Sequence, residues 1–84
     1  MFAKIKSPNF IDAFQLMLSG PKGNCFRGVL RDDKGSICRT LEKDIAHDHE
    51  EFNWTGLNDL PYGRYTLEMW QGENEMKLNL VKRV

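Results

Sequence analysis

The sequence has little of what most functional classes need. Its 84 residues include only two cysteines, two histidines and three prolines, and twelve Lys and Arg are balanced by twelve Asp and Glu, giving a formal net charge of zero. Without an excess of basic side chains there is no field to hold a nucleic-acid backbone or an anionic membrane, so nucleic acid is not expected as a partner. No apolar run approaches the ~20 residues that span a bilayer, and no apolar signal-peptide region follows Met1. Two cysteines are too few for a disulfide framework, and Cys25 and Cys38 stand in no C-x-x-C or Cys/His zinc spacing. Length excludes a second core. Residues 1–84 are expected to form a single domain, one in which only about 60% of the unfolded surface can be buried.

The sequence also lacks a convincing apolar period of 3.6 over any window of a dozen residues, which argues against helices. Period-two alternation takes its place. Phe14, Leu16 and Leu18 alternate with Gln15 and Ser19 before the breaker Gly20-Pro21-Lys22-Gly23. Phe26, Val29 and Leu30 lie on a strand that the turn Asp32-Asp33-Lys34-Gly35 folds back into residues 37–41. Asp favours the opening of such a turn and Gly tolerates positive φ at its close. Symmetric pairing about this turn sets Val29, not Cys25, opposite Cys38, so both cysteines are expected as free thiols. Phe52 and Trp54 share a face. Tyr65, Leu67 and Met69 alternate with Thr66, Glu68 and Trp70, and after the polar turn at residues 71–74, Met76, Leu78 and Leu80 alternate with Lys77 and Asn79. With a first strand at residues 2–5 the total is seven, spaced as in a sandwich. The expected core is Phe14, Leu16, Leu18, Leu30, Trp54, Tyr65, Leu67, Leu78 and Leu80.

Candidates for chemistry are few. His47-Asp48-His49-Glu50-Glu51 is the only cluster of metal-ligand types, and without a third ligand at a recognisable spacing it reads as a solvated acidic loop. No Ser or Cys sits in a nucleophile motif, and the glycines at 20, 23, 28 and 35 follow neither G-x-G-x-x-G nor a P-loop, so they read as turn glycines. Asn53-Trp54-Thr55 matches the glycosylation tripeptide but falls within a predicted strand. No catalytic residue, metal or cofactor is expected. Trp70 lies opposite the apolar face of its strand, either covered by a loop or exposed as an aromatic anchor.

Four runs resemble the C-terminal sorting domain (type A) of the type IX secretion system. Ser7-Pro8-Asn9-Phe10 followed by Phe14, Leu16 and Leu18 is similar to that family's Pro-Asn-Pro opening, with Phe10 where the family has its second proline. The strand into Asp32-Asp33-Lys34-Gly35 resembles the family's Asp-x-x-Gly turn, and Leu60-Pro61-Tyr62-Gly63-Arg64-Tyr65 its leucine-proline-x-glycine-x-tyrosine run; Lys82-Arg83-Val84 forms a similar basic terminus. The immunoglobulin-like domain of flagellar hook-capping proteins is also similar, sharing Arg39-Thr40-Leu41 and Trp54-Thr55-Gly56, though it lacks the Pro-Asn opening.

The resemblance implies an all-β, seven-stranded antiparallel immunoglobulin-like β-sandwich that acts as a non-catalytic tag on a longer secreted precursor. It would be recognised by the outer-membrane secretion machinery and removed by a sortase-like peptidase, in passage through the periplasm to the outer membrane, cell surface or exterior. The recognition residues carried over are Pro8, Asn9, Asp32, Gly35, Leu60, Pro61, Gly63, Tyr65, Lys82, Arg83 and Val84. The alternative is a non-catalytic structural or adaptor sandwich of the hook-cap or accessory-domain kind. Residues 75–84 are the expected open edge, and Lys82 and Arg83 at its end are expected either to meet carboxylates on a receptor or to be a solvated strand end. An open edge also predicts a possible strand-exchanged homodimer.

Overall fold

The structure is a computed structural model that describes residues 2–20, 23–45 and 49–83. Its strands are β1 (Ala3–Ile5), β2 (Asn9–Phe10), β3 (Phe14–Ser19), β4 (Cys25–Asp32), β5 (Ile37–Asp44), β6 (His49–Trp54), β7 (Gly63–Gln71) and β8 (Asn74–Lys82). They form two sheets, one of three strands in the order β1-β3-β6 and one of five in the order β2-β8-β7-β4-β5. The alternation that predicted the strands decides which side of each is buried: on β7, Tyr65, Leu67, Met69 and Gln71 face inward while Thr66, Glu68 and Trp70 are half-exposed. All seven predicted strands are present.

Two expectations are corrected. There are eight strands, not seven, and the pairing is not wholly antiparallel, because the extra segment β2 runs parallel to the end of β8, Asn9 beside Val81 and Phe10 beside Lys82. The physical cause is a crossing between β1 and β2. Their linking residues 6–8 carry the chain from the three-stranded sheet to the five-stranded one, and Pro8 within them restricts Ser7 to extended backbone.

The core between the sheets includes eight of the nine expected residues; the ninth, Leu78, is half-buried because β8 lies at the margin of the sandwich. The alternation underlying that expectation did not extend to Phe10, Ile45, Leu57 and Leu60, all of which are buried. Phe10 fits edge-to-face against Phe14 at 5.3 Å and Tyr65 at 6.0 Å, so the residue that departs from the Pro-Asn-Pro pattern fills space in the core. Gly28 is no turn glycine. It lies mid-strand in β4, where a Cβ would come within 3.3 Å of the Trp54 ring, and its bareness lets Trp54 of the opposite sheet lie close. Gly35 does serve the predicted turn: at φ +85° it returns its N–H to the Asp32 carbonyl, while Asp32 Oδ1 accepts the N–H groups of Lys34 and Ser36, each at 2.9 Å.

Candidate recognition surface

The motif residues are spread over the sequence, yet the register gathers them at one end of the sandwich. Gly63 pairs with Lys82, Tyr65 with both Leu80 and Asp32, and Asn9 with Val81, so the start of β7, the end of β8, the end of β4 and the whole of β2 meet there. Val84 lies outside the described residues, as do His47 and Asp48 of the acidic cluster; His49 opens β6, exposed, opposite Ser19 at the far end.

Several of the described motif residues have a local structural task. The Tyr65 hydroxyl, carried inward on β7, donates to the Pro61 carbonyl at 2.6 Å, which ties the loop before β7 to the strand it starts. Greek-key sandwiches use a tyrosine at such a corner in the same way. Burial and the nearby Cys38, Asp32 and Asp33 push this hydroxyl's pKa up, so it remains a donor. Leu60 is buried beneath the loop, and Leu57 beside it anchors the loop through its N–H to the Asp12 carbonyl at 3.1 Å. Pro8 and Phe10 accept the N–H groups of Val81 and Arg83 at 2.8 and 2.7 Å, and Arg83 Nε donates to Asn9 Oδ1 at 3.2 Å. The first and last motifs are therefore one joined element.

Lys82 corrects the sequence expectation. It is buried, not a solvated strand end, because it shares the inward parity of Leu78 and Leu80. Its long stem packs inside while Nζ reaches the Tyr62 ring, 5.6 Å from the centroid, and the Arg83 carbonyl at 3.5 Å. The expected open edge is also shorter than residues 75–84, since β2 covers Val81 and Lys82.

What this end presents outward is apolar and charged together. Of the four large apolar side chains left exposed among the described residues, Ile11, Ile37 and Tyr62 lie here, and Met17 alone does not. A cleft of about 230 Å³ runs beneath Tyr62, walled by Asp32, Lys34, Cys38 and Arg64. Another, of about 370 Å³, lies between Ile11, Asp12 and Arg83. Arg39 grips Asp59 at the rim with paired bonds of 2.6 and 2.7 Å, which hold that carboxyl below its usual range. The sequence singled out neither Tyr62 nor the Arg39–Asp59 pair, though an aromatic beside Pro61 in a tight loop was a signal of outward display.

Cys38 sits within this end and Cys25 at the other, both free. Cys38 stands in a β-bulge, where the register slips between Leu30 and Arg31, so Thr40 rather than Cys38 faces Val29. Its thiol is pushed up by burial and by Asp32, which favours the neutral thiol over the nucleophilic thiolate. Trp70 is half-buried, with the Arg27 guanidinium 5.7 Å from its ring centroid.

No protein-family model matches the chain, and comparison with curated proteins finds no match.

Proposed function

We propose that the chain is a non-catalytic recognition domain, a C-terminal sorting tag of the type IX kind. The observation that carries this is the convergence of Pro8, Asn9, Pro61, Tyr62, Gly63 and Arg83, remote in sequence, on one end of the sandwich that also exposes Ile11 and Ile37. A surface that mixes exposed apolar side chains with a few fixed charges is suited to a protein partner. In this proposal the partner is the outer-membrane secretion machinery, and a sortase-like peptidase later removes the tag as the cargo passes from the periplasm to the cell surface or exterior. The finer fold reading is an immunoglobulin-like sandwich whose first strand is divided between the sheets. The strand order supports it: lettered in sequence with β1 and β2 as one strand, the sheets run A-B-E and A′-G-F-C-C′.

The test fuses residues 1–84 to the C-terminus of a reporter with a signal peptide in a type IX-competent host. The intact tag is expected to bring the reporter to the surface. Because Lys82 is buried, the informative substitutions are the exposed Asn9→Ala and Arg83→Ser, which should change the melting temperature by less than about 2 °C and reduce export by about tenfold together. A reporter that stays in the periplasm with the intact tag, or double-variant export equal to the parent, defeats the proposal and leaves an adaptor domain in its place.

A further inference from the structure

Among the described residues, β8 is covered along only part of its outer edge. The two bonds that join it to β2, from the N–H groups of Val81 and Arg83, identify which of its residues aim their backbone away from β7: the odd-numbered ones. The register between β7 and β8 runs without a shift from Gly63↔Lys82 to Gln71↔Asn74, so the alternation holds along the strand. On the uncovered stretch it is Glu75, Lys77 and Asn79 that turn N–H and C=O outward, with exposed side chains. The inner side of that stretch carries Met76 and Leu78, half-buried at the margin of the core. Pairing groups, an apolar flank and alternating charge coincide there.

We infer that this edge pairs with the same edge of a second copy, antiparallel, about a two-fold axis through Met76. Symmetry and charge select the register. A two-fold pairing must set outward-facing residues opposite one another, which requires the axis to pass through a residue. An axis at Glu75 or Lys77 sets like charges face to face, one at Leu78 runs Glu75 into Val81 beneath β2, and one at Asn74 leaves the pairing to the turn. An axis at Met76 sets Glu75 opposite Lys77 of the second copy twice over, with about four backbone hydrogen bonds between them. The two Met76 side chains then meet on the inner side, and the five-stranded sheets of both copies become one continuous sheet. This pairing adds a strand to an edge and exchanges none, and it does not depend on the sorting role.

Sedimentation of the purified chain from about 10 µM to about 1 mM should reveal a monomer–dimer equilibrium. Glu75→Lys and Lys77→Glu should each weaken it by about tenfold, since each turns both cross-strand pairs into like charges. An equimolar mixture of the two variants should associate at least as well as the parent, because every pair is then opposite in charge. Geometry is tested separately in a Cys25→Ser/Cys38→Ser background. Met76→Cys thiols, about 4.5 Å apart in Cα across the axis, should oxidise to a disulfide-linked dimer, whereas Leu78→Cys, facing Asn74, should cross-link at least about tenfold more slowly. A chain that remains monomeric throughout the range, variants that do not alter the equilibrium, or equal cross-linking by the two cysteine variants overturns the inference. So does a dimer without a Met76→Cys link, the outcome expected of strand exchange, where residue 76 would face Met69 of the other copy.

Discussion

The two ends of the sandwich are closed by different means. At the motif end Phe10, Leu57 and Leu60 plug the space between the sheets, and side chains bind the chain over them: Tyr65 to Pro61, Arg83 to Asn9, Asp32 to its own turn. At the far end Ile45 is the corresponding plug, held by bonds to Asn24 and Gly23, and at the same end Phe2 and Met76 border a groove of about 400 Å³. One buried amide spans that groove, Gln71 donating from Nε2 to the Ser19 carbonyl at 3.0 Å. The motif end is thus cross-tied by side chains, whereas among the described residues the far end is held mainly by backbone bonds, Ile45 with Asn24 and Gly23 and Ser19 with Phe2, and by the Gln71 amide. The difference bears on the proposed role: a surface held by its own packing presents Ile11, Tyr62 and Arg83 in fixed positions, which would lower the entropy cost of docking a partner there.

The strongest way to break the comparison is Phe10→Ala. The ring is 3% exposed and touches both Phe14 and Tyr65, so its removal should cost about 3 to 5 kcal/mol, a large share of a small domain's stability. The loss should be concentrated at the motif end, and the two thiols report where. Cys38 should become reactive to an alkylating reagent well below the global unfolding midpoint, while Cys25, already exposed, should change little. A loss under about 1 kcal/mol, or equal acceleration at both thiols, would mean that Phe10 does not separate one end from the other.

This outcome was half legible in the sequence. Alternation gives the faces of β3, β7 and β8 because a strand's side chains must choose between core and solvent at every step. It is silent on Ile45, Leu57 and Leu60, which plug the ends from loops where no period exists, and on β2, whose two residues are too short to alternate. Gly28 misled for a related reason: a glycine made necessary by a Trp54 ring on another sheet looks, in one dimension, like a glycine in a turn. The Cys38 bulge likewise shifts a register that symmetric pairing about Asp32-Asp33-Lys34-Gly35 cannot anticipate. For the surface, the motifs converge on one end, but the sequence did not give the orientation of each residue. Lys82 follows the parity of Leu80, a pattern present in the sequence that its charge obscured.

Smaller changes compare the polar ties. Gln71→Ala at the far end should cost about 1 to 2 kcal/mol, because it leaves the Ser19 carbonyl beside an enlarged groove, and Tyr65→Phe at the motif end about 1 kcal/mol, because the Pro61 carbonyl lies in an exposed loop where water can replace the hydroxyl. Denaturant unfolding measures both. If Tyr65→Phe proves the costlier, the hydroxyl tie rather than the ring packing closes the motif end, and the ranking of the ends rests on hydrogen bonds.

The smallest effect is electrostatic, and its sign is fixed by two carboxylates. Asp59 is held below its usual range first by its hydrogen bonds from Arg39, and Glu68, on the outer face of β7, by its hydrogen bond from Arg31 with Lys77 in support. A carboxylate whose folded pKa is depressed contributes stability that is fully present above its unfolded value and is lost as pH falls through the folded one. Stability should therefore be flat through neutrality and start to decline only as pH drops into and below the ordinary carboxylate range, near 4. Both pairs are at the surface, where solvent and salt screen them, so the decline attributable to them should shrink when salt is raised to about 0.5 M. Carbon-detected titration of the side-chain carboxyls measures the two groups separately. Arg39→Met should return Asp59 to the ordinary range and leave Glu68 unmoved, since the two lie on different elements with different partners. An Asp59 that titrates normally in the parent chain would mean that Arg39 does not hold the loop at residues 55–62, and that Tyr65 and Leu57 fix the motif end without it.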